Sequence, residues 1–299
     1  MSVSVTQLIK KMMPEKIKKY ILNNINDRNA LLESVEYVVH TSDIEALKDK
    51  AIIVTGSTGA IGSAIAHRLY IEGATVGVCG RNKDKVSQII KRFELENVSG
   101  AGQLIPLCID VTDDISIENG ISGFIKQTGR VDVLINNAGG GARAKSKVLW
   151  EQDIEIIDSV ISTNLRGSIL CARKVAQIMI KQNHGVILNM SSVVGMNGKE
   201  RMTDYAAAKS GIIGFTKSLA LELGKYNIRV NCISPGMVNQ KPFDMGMPVQ
   251  QTNTNCLGRF GYTDEVADLV AFVISDQAKF ITGHNFVIDG GRSLGLMGD

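Results

Sequence analysis

From residue 50 to near residue 290, the sequence alternates short apolar segments with longer amphipathic segments. The apolar segments have the length of β-strands and lie near residues 51–55, 75–79, 104–109, 132–136, 185–190, 228–233 and 285–288. The segments that predict helices lie near residues 60–72, 83–96, 114–127, 152–163, 167–182, 204–224 and 263–274. Because this alternation requires right-handed crossovers, it predicts a parallel sheet with helices on both faces. We therefore expect a doubly wound, seven-stranded α/β fold that binds its ligands at the carboxyl ends of the strands.

A glycine-rich turn joins the first predicted strand to the first predicted helix. Glycines in such a turn let the backbone approach a pyrophosphate, which is then stabilised by the N-terminus of the following helix. The strand–turn–helix context therefore predicts a dinucleotide site. The residues of the turn that we expect to contact the dinucleotide are Gly56, Ser57, Thr58, Gly59, Ile61 and Gly62.

A second pattern lies downstream, where Ser191 and Ser192 follow a buried strand and Tyr205 and Lys209 lie on a predicted helix. A spacing of four residues places the tyrosine and the lysine on one helix face. An ammonium beside a phenol favours the phenolate, so Tyr205 is suited to exchange a proton with a substrate oxygen near neutral pH. A tyrosine and a lysine at this spacing are common by chance, and the glycine turn is the independent observation that favours a catalytic function.

Together, these motifs resemble those of the short-chain dehydrogenase/reductase family over about residues 50–292. Asn164, the segment 136–139 (Asn-Asn-Ala-Gly) and Pro235-Gly236 also match family motifs. The pair Gly59-Ala60 departs slightly from the single-domain branch and is similar to the longer sugar-nucleotide branch, but the other motifs favour the single-domain branch. The resemblance implies a Rossmann-type domain over residues 50–299 and hydride transfer between a nicotinamide cofactor and a carbonyl or secondary alcohol.

The resemblance also implies a role for each residue of the catalytic set. Tyr205 acts as the acid/base, Ser192 positions the carbonyl oxygen, and Lys209 lowers the pKa of the tyrosine and holds the nicotinamide ribose. Asn164 holds a water that links the lysine to solvent. Neighbouring residues at a strand end point to opposite sides, so only one of the two serines can face the substrate. Ser192 is favoured because it lies thirteen residues before Tyr205, and Ser191 is the alternative.

The residues after the second predicted strand favour NADP(H) over NAD(H). An acidic residue there would accept hydrogen bonds from a free ribose, whereas this chain has Gly80 followed by Arg81. A guanidinium matches the charge and geometry of a phosphate; the alternative is that Arg81 is a solvated loop residue. The family often has a threonine where this chain has Gln240. The further cofactor contacts that we expect are Asn82, Asp110, Val111, Asn137, Ala138, Gly139, Tyr205, Lys209, Pro235, Gly236 and Val238.

The substrate has three open interpretations. The overall pattern resembles the 3-oxoacyl-[acyl-carrier-protein] reductases, which present two arginines to an acidic carrier protein. The matching positions here are Gln177 and Leu221, and this loss of charge should weaken docking of an acidic partner. The lysines that compensate in part are Lys174, Lys181 and Lys217. We therefore predict a free small molecule, a sugar- or polyol-like ketone or alcohol. The alternatives are a carrier-bound 3-oxoacyl substrate and a non-catalytic NADP-binding sensor or scaffold.

Composition excludes several other classes of protein. The chain has 299 residues, 44% of them hydrophobic, and a net charge of +3 without a basic stripe, which argues against nucleic-acid binding. No apolar run is long enough to cross a membrane. The five cysteines are scattered without a disulfide or zinc spacing, so we expect a cytoplasmic protein, and the scattered histidines predict no metal site.

Residues 1–49 predict a helical N-terminal extension with lysines between apolar residues. A basic helix that touches a membrane is one interpretation, but a short apolar face favours a helix packed on the body or on a neighbouring subunit. The long predicted helices in 152–182 and 204–224 carry apolar residues on more than one face, which predicts a homodimer or homotetramer. The segment 239–261, rich in Asn, Gln and Met, is either a lid or an irregular surface loop.

Overall fold

The computed structural model describes residues 47–140, 145–240 and 252–295. The predicted N-terminal extension therefore lies outside the described residues except for 47–49, and residues 241–251 of the loop also lie outside them. Seven strands form one sheet in the order β3-β2-β1-β4-β5-β6-β7, with every pair parallel. They are β1 (Ala51–Val54), β2 (Thr75–Gly80), β3 (Gln103–Cys108), β4 (Val133–Asn136), β5 (Gly185–Met190), β6 (Ile228–Pro235) and β7 (Asn285–Ile288). The predicted doubly wound α/β fold is confirmed.

The helices that connect the strands agree with the prediction except at two places. They are α1 (Ala60–Ile71), α2 (Lys83–Leu95), α3 (Asp114–Thr128), α4 (Ile154–Ile161), α5 (Gly167–Gln182), α6 (Val194–Asn197), α7 (Thr203–Leu223) and α8 (Thr263–Ile274). A π-helical turn, Ser162–Arg166, joins α4 to α5 where the sequence predicts a break. The one-turn helix α6 is not predicted by the sequence, because four residues are too few to show a period.

The sheet is buried on both faces. In β1, Ile52 and Val54 pack in a cluster with α1, α2 and α8, whereas Ile53 packs in a second cluster with α3, α5 and α7. Strands that are covered on both sides are apolar at every position, and all four residues of β1 are buried. This uniform burial explains why the strands stand out in the sequence as continuous apolar runs.

The direction of winding reverses at β1, which pairs with β2 on one side and with β4 on the other. In open α/β sheets, the loops that leave the strands on either side of such a point diverge and open a crevice. The turn after β1, the loop after β2 and the loop after β4 therefore form the walls of one site.

Two surface properties bear on the remaining expectations. No helix in the described ranges is long and apolar enough to cross a membrane. Ile169 on α5 and Leu221 on α7 are exposed, as the predicted pairing of these helices in a homo-oligomer would require, and the oligomer stays a prediction.

Candidate active site

The turn after β1 needs glycine at two positions for different reasons. Gly56 has φ +67°, and a Cβ there would lie 2.7 Å from the Cα of Ala138. A Cβ on Gly62 would lie 2.3 Å from the carbonyl oxygen of Gly56, so only glycine lets α1 pack directly on the turn. The close approach fixes the start of α1 at the edge of the crevice.

Side chains beneath the turn hold it against β4. The amide Nδ2 of Asn137 donates to the carbonyl oxygens of Thr55 (3.0 Å) and Gly56 (3.2 Å). The hydroxyl of Thr55 accepts from the backbone N–H groups of Asn137 and Ala138, both at 3.0 Å. Thr55 is thus a positioning residue that the sequence analysis missed, and its place directly before Gly56 is the only local signal.

Ser57 has a structural hydroxyl. Its Oγ donates to the carbonyl of Val54 at 2.6 Å and accepts from the backbone N–H of Cys79 at 3.2 Å. The side chain is fully buried and ties the end of β1 to β2. The structure therefore places this predicted cofactor residue behind the turn, with its hydroxyl turned to the strands.

A crevice of about 660 Å³ crosses the carboxyl ends of the strands. Most of the predicted cofactor residues line it, namely Gly56, Thr58, Gly59, Ile61, Gly62, Arg81, Asp110, Val111, Asn137, Ala138, Gly139, Tyr205, Lys209 and Pro235. The predicted residues outside its lining are Ser57, Asn82, Gly236 and Val238. The lining residues that were not predicted as cofactor contacts include Ile109, Gly140, Thr163, Met190, Ser191 and Gln240, whereas the predicted catalytic residues Ser192 and Asn164 lie outside the lining. The crevice thus brings the glycine turn and the Tyr205–Lys209 pair into one site.

One end of the crevice has a positively charged side chain and lacks an acidic residue after β2. A Cβ on Gly80 would lie 2.7 Å from Cγ2 of Thr58 and 3.0 Å from Cγ2 of Val86, which disfavours an acidic side chain there. Arg81 follows it, exposed and on the crevice wall. The side chain of Asn82 caps α2 by accepting from the backbone N–H of Lys85 at 2.9 Å, so its role here is to fix the start of that helix.

Asp110 lies on the same side of the crevice and is held ionised. Burial raises the pKa of its carboxyl, but hydrogen bonds from the backbone N–H and hydroxyl of Thr112 and attraction to Arg81 outweigh burial, so the pKa is lowered. Both bonds go to Oδ1, at 2.9 and 2.7 Å. The other oxygen, Oδ2, accepts from none of these donors and is suited to a ligand N–H.

Lys209 and Tyr205 meet at the other end of the crevice. The lysine Nζ lies 5.7 Å from the centroid of the tyrosine ring and donates to the carbonyl oxygen of Met190 at 2.7 Å. Only 4% of Lys209 is exposed, and burial lowers the pKa of its ammonium to about 8. At neutral pH the lysine is therefore mostly charged beside the phenol, as a proton-exchanging tyrosine requires.

The two adjacent serines make different hydrogen bonds. The Oγ of Ser191 donates to the carbonyl oxygen of Lys209 at 2.8 Å, which commits its proton to α7. The Oγ of Ser192 accepts from the backbone N–H of Val194 at 3.2 Å, and its own proton takes no part in that bond. A serine that polarises a substrate oxygen must donate, so these bonds favour Ser192 over Ser191.

Asn164 lies in the π-helical turn and is fully buried. Its Oδ1 accepts from the N–H of Gly140 at 2.9 Å, and its Nδ2 donates to the carbonyls of Gly140 (3.1 Å) and Val160 (2.9 Å). A Cβ on Gly139 would lie 2.4 Å from this Oδ1 and 3.4 Å from Nζ of Lys209. Asn164 therefore fixes the loop after β4 beside the lysine, and π turns are frequent at such sites.

The crevice fits a dinucleotide. The first turn of α1 has no side-chain cap and no acidic residue, so its backbone N–H groups face an anion-binding position beside Gly59. No group of three or more His, Cys, Asp or Glu residues in the described part of the chain could hold a metal ion. The site is thus suited to an organic cofactor with a phosphate backbone.

Comparison with known proteins identifies the family. A family model described as enoyl-(acyl carrier protein) reductase matches residues 56–293. The chain belongs to the short-chain dehydrogenase/reductase family. A 3-oxoacyl-[acyl-carrier-protein] reductase from Thermotoga maritima is 38% identical over 82% of this chain and 98% of its own length. The reductase of the same name from Chlamydia muridarum is 36% identical over 83% of this chain and 98% of its own length.

Solved structures of similar fold support the same family assignment. A short-chain dehydrogenase from Bacillus anthracis superposes with a TM-score of 0.74 at 31% identity, covering 84% of this chain and 99% of its own. A short-chain dehydrogenase/reductase from Mycobacterium ulcerans gives 0.75 at 26% identity, covering 83% and 90%. This short-chain dehydrogenase/reductase is therefore an oxidoreductase, and its family implies a nicotinamide cofactor. The named relatives favour the 3-oxoacyl alternative over the sugar- or polyol-like substrate expected from the residues.

Proposed function

We propose that this enzyme uses NADPH to reduce the 3-oxo group of an acyl thioester to a hydroxyl group. The observation that carries the proposal is the similarity to relatives named 3-oxoacyl-[acyl-carrier-protein] reductases, which extends over nearly their whole length. This substrate takes the place of the sugar- or polyol-like molecule as the first candidate.

A nicotinamide cofactor, when bound in the crevice, would supply the hydride, and the residues of the chain would transfer the proton to and from the oxygen. Tyr205 donates a proton to the carbonyl oxygen as the hydride arrives at carbon. The charged Lys209 favours the phenolate that remains, and it holds the nicotinamide ribose. Ser192 donates a hydrogen bond to the same oxygen, which lowers the barrier by stabilising developing negative charge. Asn164 holds the neighbouring loop, and its proposed water link to Lys209 completes the path to solvent.

Arg81 is the proposed determinant of NADP(H) specificity. A Cβ at position 80 would lie 2.7 Å from the methyl group of Thr58, which disfavours the carboxylate that would select a free ribose, and the exposed guanidinium of Arg81 on the crevice wall supports a phosphate there. Asp110 accepts from the adenine amino group with the oxygen that Thr112 leaves open. The glycine turn and the N-terminus of α1 hold the pyrophosphate.

A free carbonyl compound is the second candidate, because the two positions that match the carrier-docking arginines are uncharged. Gln177 and Leu221 are both exposed, Leu221 to 86%. Lys174, one of the lysines expected to compensate, forms an ion pair with Glu118 at 2.5 Å and is largely neutralised. Weak steering of an acidic partner is the consequence.

The test compares three substrates with NADPH and the full chain. These are acetoacetyl carrier protein, the acetoacetyl thioester of N-acetylcysteamine and a keto sugar. Reduction of both thioesters with little advantage for the carrier supports a thioester reductase with weak docking. If kcat/KM for the acetoacetyl carrier protein exceeds that for the N-acetylcysteamine thioester by well over tenfold, the natural substrate is instead the carrier-bound one. Turnover of the keto sugar alone would overturn the proposal, and no turnover of any carbonyl would favour the NADP-binding sensor.

A further inference from the structure

A second cavity, of about 510 Å³, opens beside Ser192 and outside the dinucleotide crevice. Its wall begins with Val193 and Val194, the two residues that follow the serine. It continues along α6, which packs so closely on α7 that a Cβ on Gly195 would lie 2.6 Å from the carbonyl carbon of Lys209. The cavity is therefore adjacent to the catalytic set.

The charged groups that line this cavity are all positive. Lys199, an exposed residue just after α6, lines one side of the cavity. Arg292, in the turn after β7, also lines it. The described lining contains no carboxylate, and neither cation forms an ion pair with an acidic residue of the described ranges. The remaining polar lining residues, Asn197, Asn253 and Thr254, are neutral.

Arg292 is held in place by neutral groups. Its Nη1 donates to the hydroxyl of Thr254 and contacts the sulfur of Met237 at 3.0 Å. The nearby carboxylate of Asp289 is occupied by the backbone, since it accepts from the N–H groups of Gly291 (2.8 Å) and Ser293 (2.6 Å). The guanidinium is half-buried and pairs with no carboxylate of the described ranges, so it is suited to form charge-assisted hydrogen bonds with an anionic ligand.

We propose that this cavity binds an anionic group of the substrate, a phosphate or a carboxylate, between Lys199 and Arg292. The reacting carbonyl then lies at Ser192 and Tyr205, while the charge is held between the end of α6 and the turn after β7. This inference rests on the proposed function for the source of the anion. In a thioester substrate, the source is either the phosphate of a phosphopantetheine arm or a carboxylate at the far end of the acyl chain.

The first arm of the test measures binding without turnover. The full chain with saturating NADP⁺ is titrated with 4′-phosphopantetheine and with pantetheine, which differ only in the phosphate. A charge-assisted hydrogen bond is worth about 1.5–3 kcal/mol, so the wild type should favour the phosphorylated ligand by roughly ten- to a hundredfold. Arg292→Gln and Lys199→Gln should each remove most of this preference. Lys126→Gln, which removes an exposed charge from α3, should retain it.

The second arm tests the acyl end with N-acetylcysteamine thioesters of acetoacetate and of 3-oxoadipate, which ends in a carboxylate. If this end carries the anion, Arg292→Gln should raise KM for the 3-oxoadipyl thioester and leave kcat unchanged. Arg292→Lys keeps the positive charge and should bring KM for the 3-oxoadipyl thioester part of the way back to the wild-type value. An unchanged rate with the neutral acetoacetyl thioester shows that the variant is folded.

The two proposals fail in different ways. If neither arm shows a preference for the anionic ligand, or if the preference survives in both Arg292→Gln and Lys199→Gln, the cavity does not bind an anion. The thioester reductase activity would then still stand on the neutral substrate. If no thioester is reduced, the proposed function fails, and the pantetheine titration still decides what the cavity binds.

Discussion

The two halves of the active site differ in what defines them. On the side of β1 and β2, the site is shaped by backbone, with Gly56, Gly62 and Gly80 each placed where a Cβ would collide with a neighbour. On the side of β5 to β7, the proposed anion-binding cavity is lined by side chains such as Lys199 and Arg292 that project from loops. A backbone constraint admits one residue type, whereas a loop position admits many. The class of cofactor can therefore be predicted from the first side, whereas the substrate has to be inferred from the second.

The largest predicted effect is at Tyr205, where the backbone-shaped side and the side-chain-shaped side of the site meet. Removing the phenolic hydroxyl with Tyr205→Phe should lower kcat by about 10²- to 10⁴-fold, the usual contribution of general acid catalysis. NADPH affinity should change far less than kcat, because only one of the expected cofactor contacts is lost and the glycine turn and Lys209 are untouched. NADPH oxidation and fluorescence titration measure the two quantities. Tyr226→Phe, at a tyrosine outside the crevice lining, is the control and should keep full activity. Turnover that survives in Tyr205→Phe would refute the mechanism.

The adjacent serines give a matched pair of variants. Ser192→Ala should reduce kcat by roughly 10²- to 10³-fold, the effect of losing one donor to a developing oxyanion. Ser191→Ala should reduce stability instead, because it leaves the carbonyl of Lys209 without its hydroxyl donor. Steady-state kinetics and thermal unfolding distinguish the two effects. The assignment is reversed if Ser191→Ala loses the activity and Ser192→Ala keeps it.

The sequence predicted the fold well because its signals are local. A strand buried on both faces, such as β1, is apolar throughout, and a glycine turn is required wherever α1 packs on the strand end. The prediction failed at the π turn, because the extra residue that aims Asn164 at the loop after β4 is a tertiary requirement. The cavity beside Ser192 could not be predicted, since Lys199 and Arg292 are far apart in the chain and share no motif.

Lys209 gives a prediction about stability. Burial lowers the pKa of its ammonium from 10.5 to about 8, which corresponds to roughly 3 kcal/mol of destabilisation in the cofactor-free protein at neutral pH. Lys209→Met should therefore abolish activity and raise the free energy of unfolding at pH 7. Because the folded pKa lies below the unfolded value, the unfolded chain binds more protons between pH 8 and about 10.5. Across that window, the wild type should gain stability relative to the variant.

Urea unfolding of both cofactor-free proteins at pH 7 and at pH 10 measures this difference. Lys217→Met, which removes an exposed ammonium from the same helix, is the control. A stability difference between wild type and Lys209→Met that does not narrow with rising pH would contradict the buried-charge explanation.

Arg81 gives the smallest predicted effect and tests the backbone-shaped half by itself. Arg81→Ala should weaken NADPH binding by about ten- to a hundredfold, the range expected for charge-assisted hydrogen bonds to a phosphate, and leave NADH binding unchanged. Fluorescence titration with both cofactors measures the change in preference. A reversal with Gly80→Asp alone should fail, because any side chain at position 80 meets the methyl group of Thr58. The double variant Thr58→Gly with Gly80→Asp removes the closest contact, leaves Cγ2 of Val86 at 3.0 Å from the new Cβ, and should bind NADH better than NADPH. If Arg81→Ala weakens NADPH and NADH binding equally, the guanidinium supports the crevice wall and does not bind the phosphate.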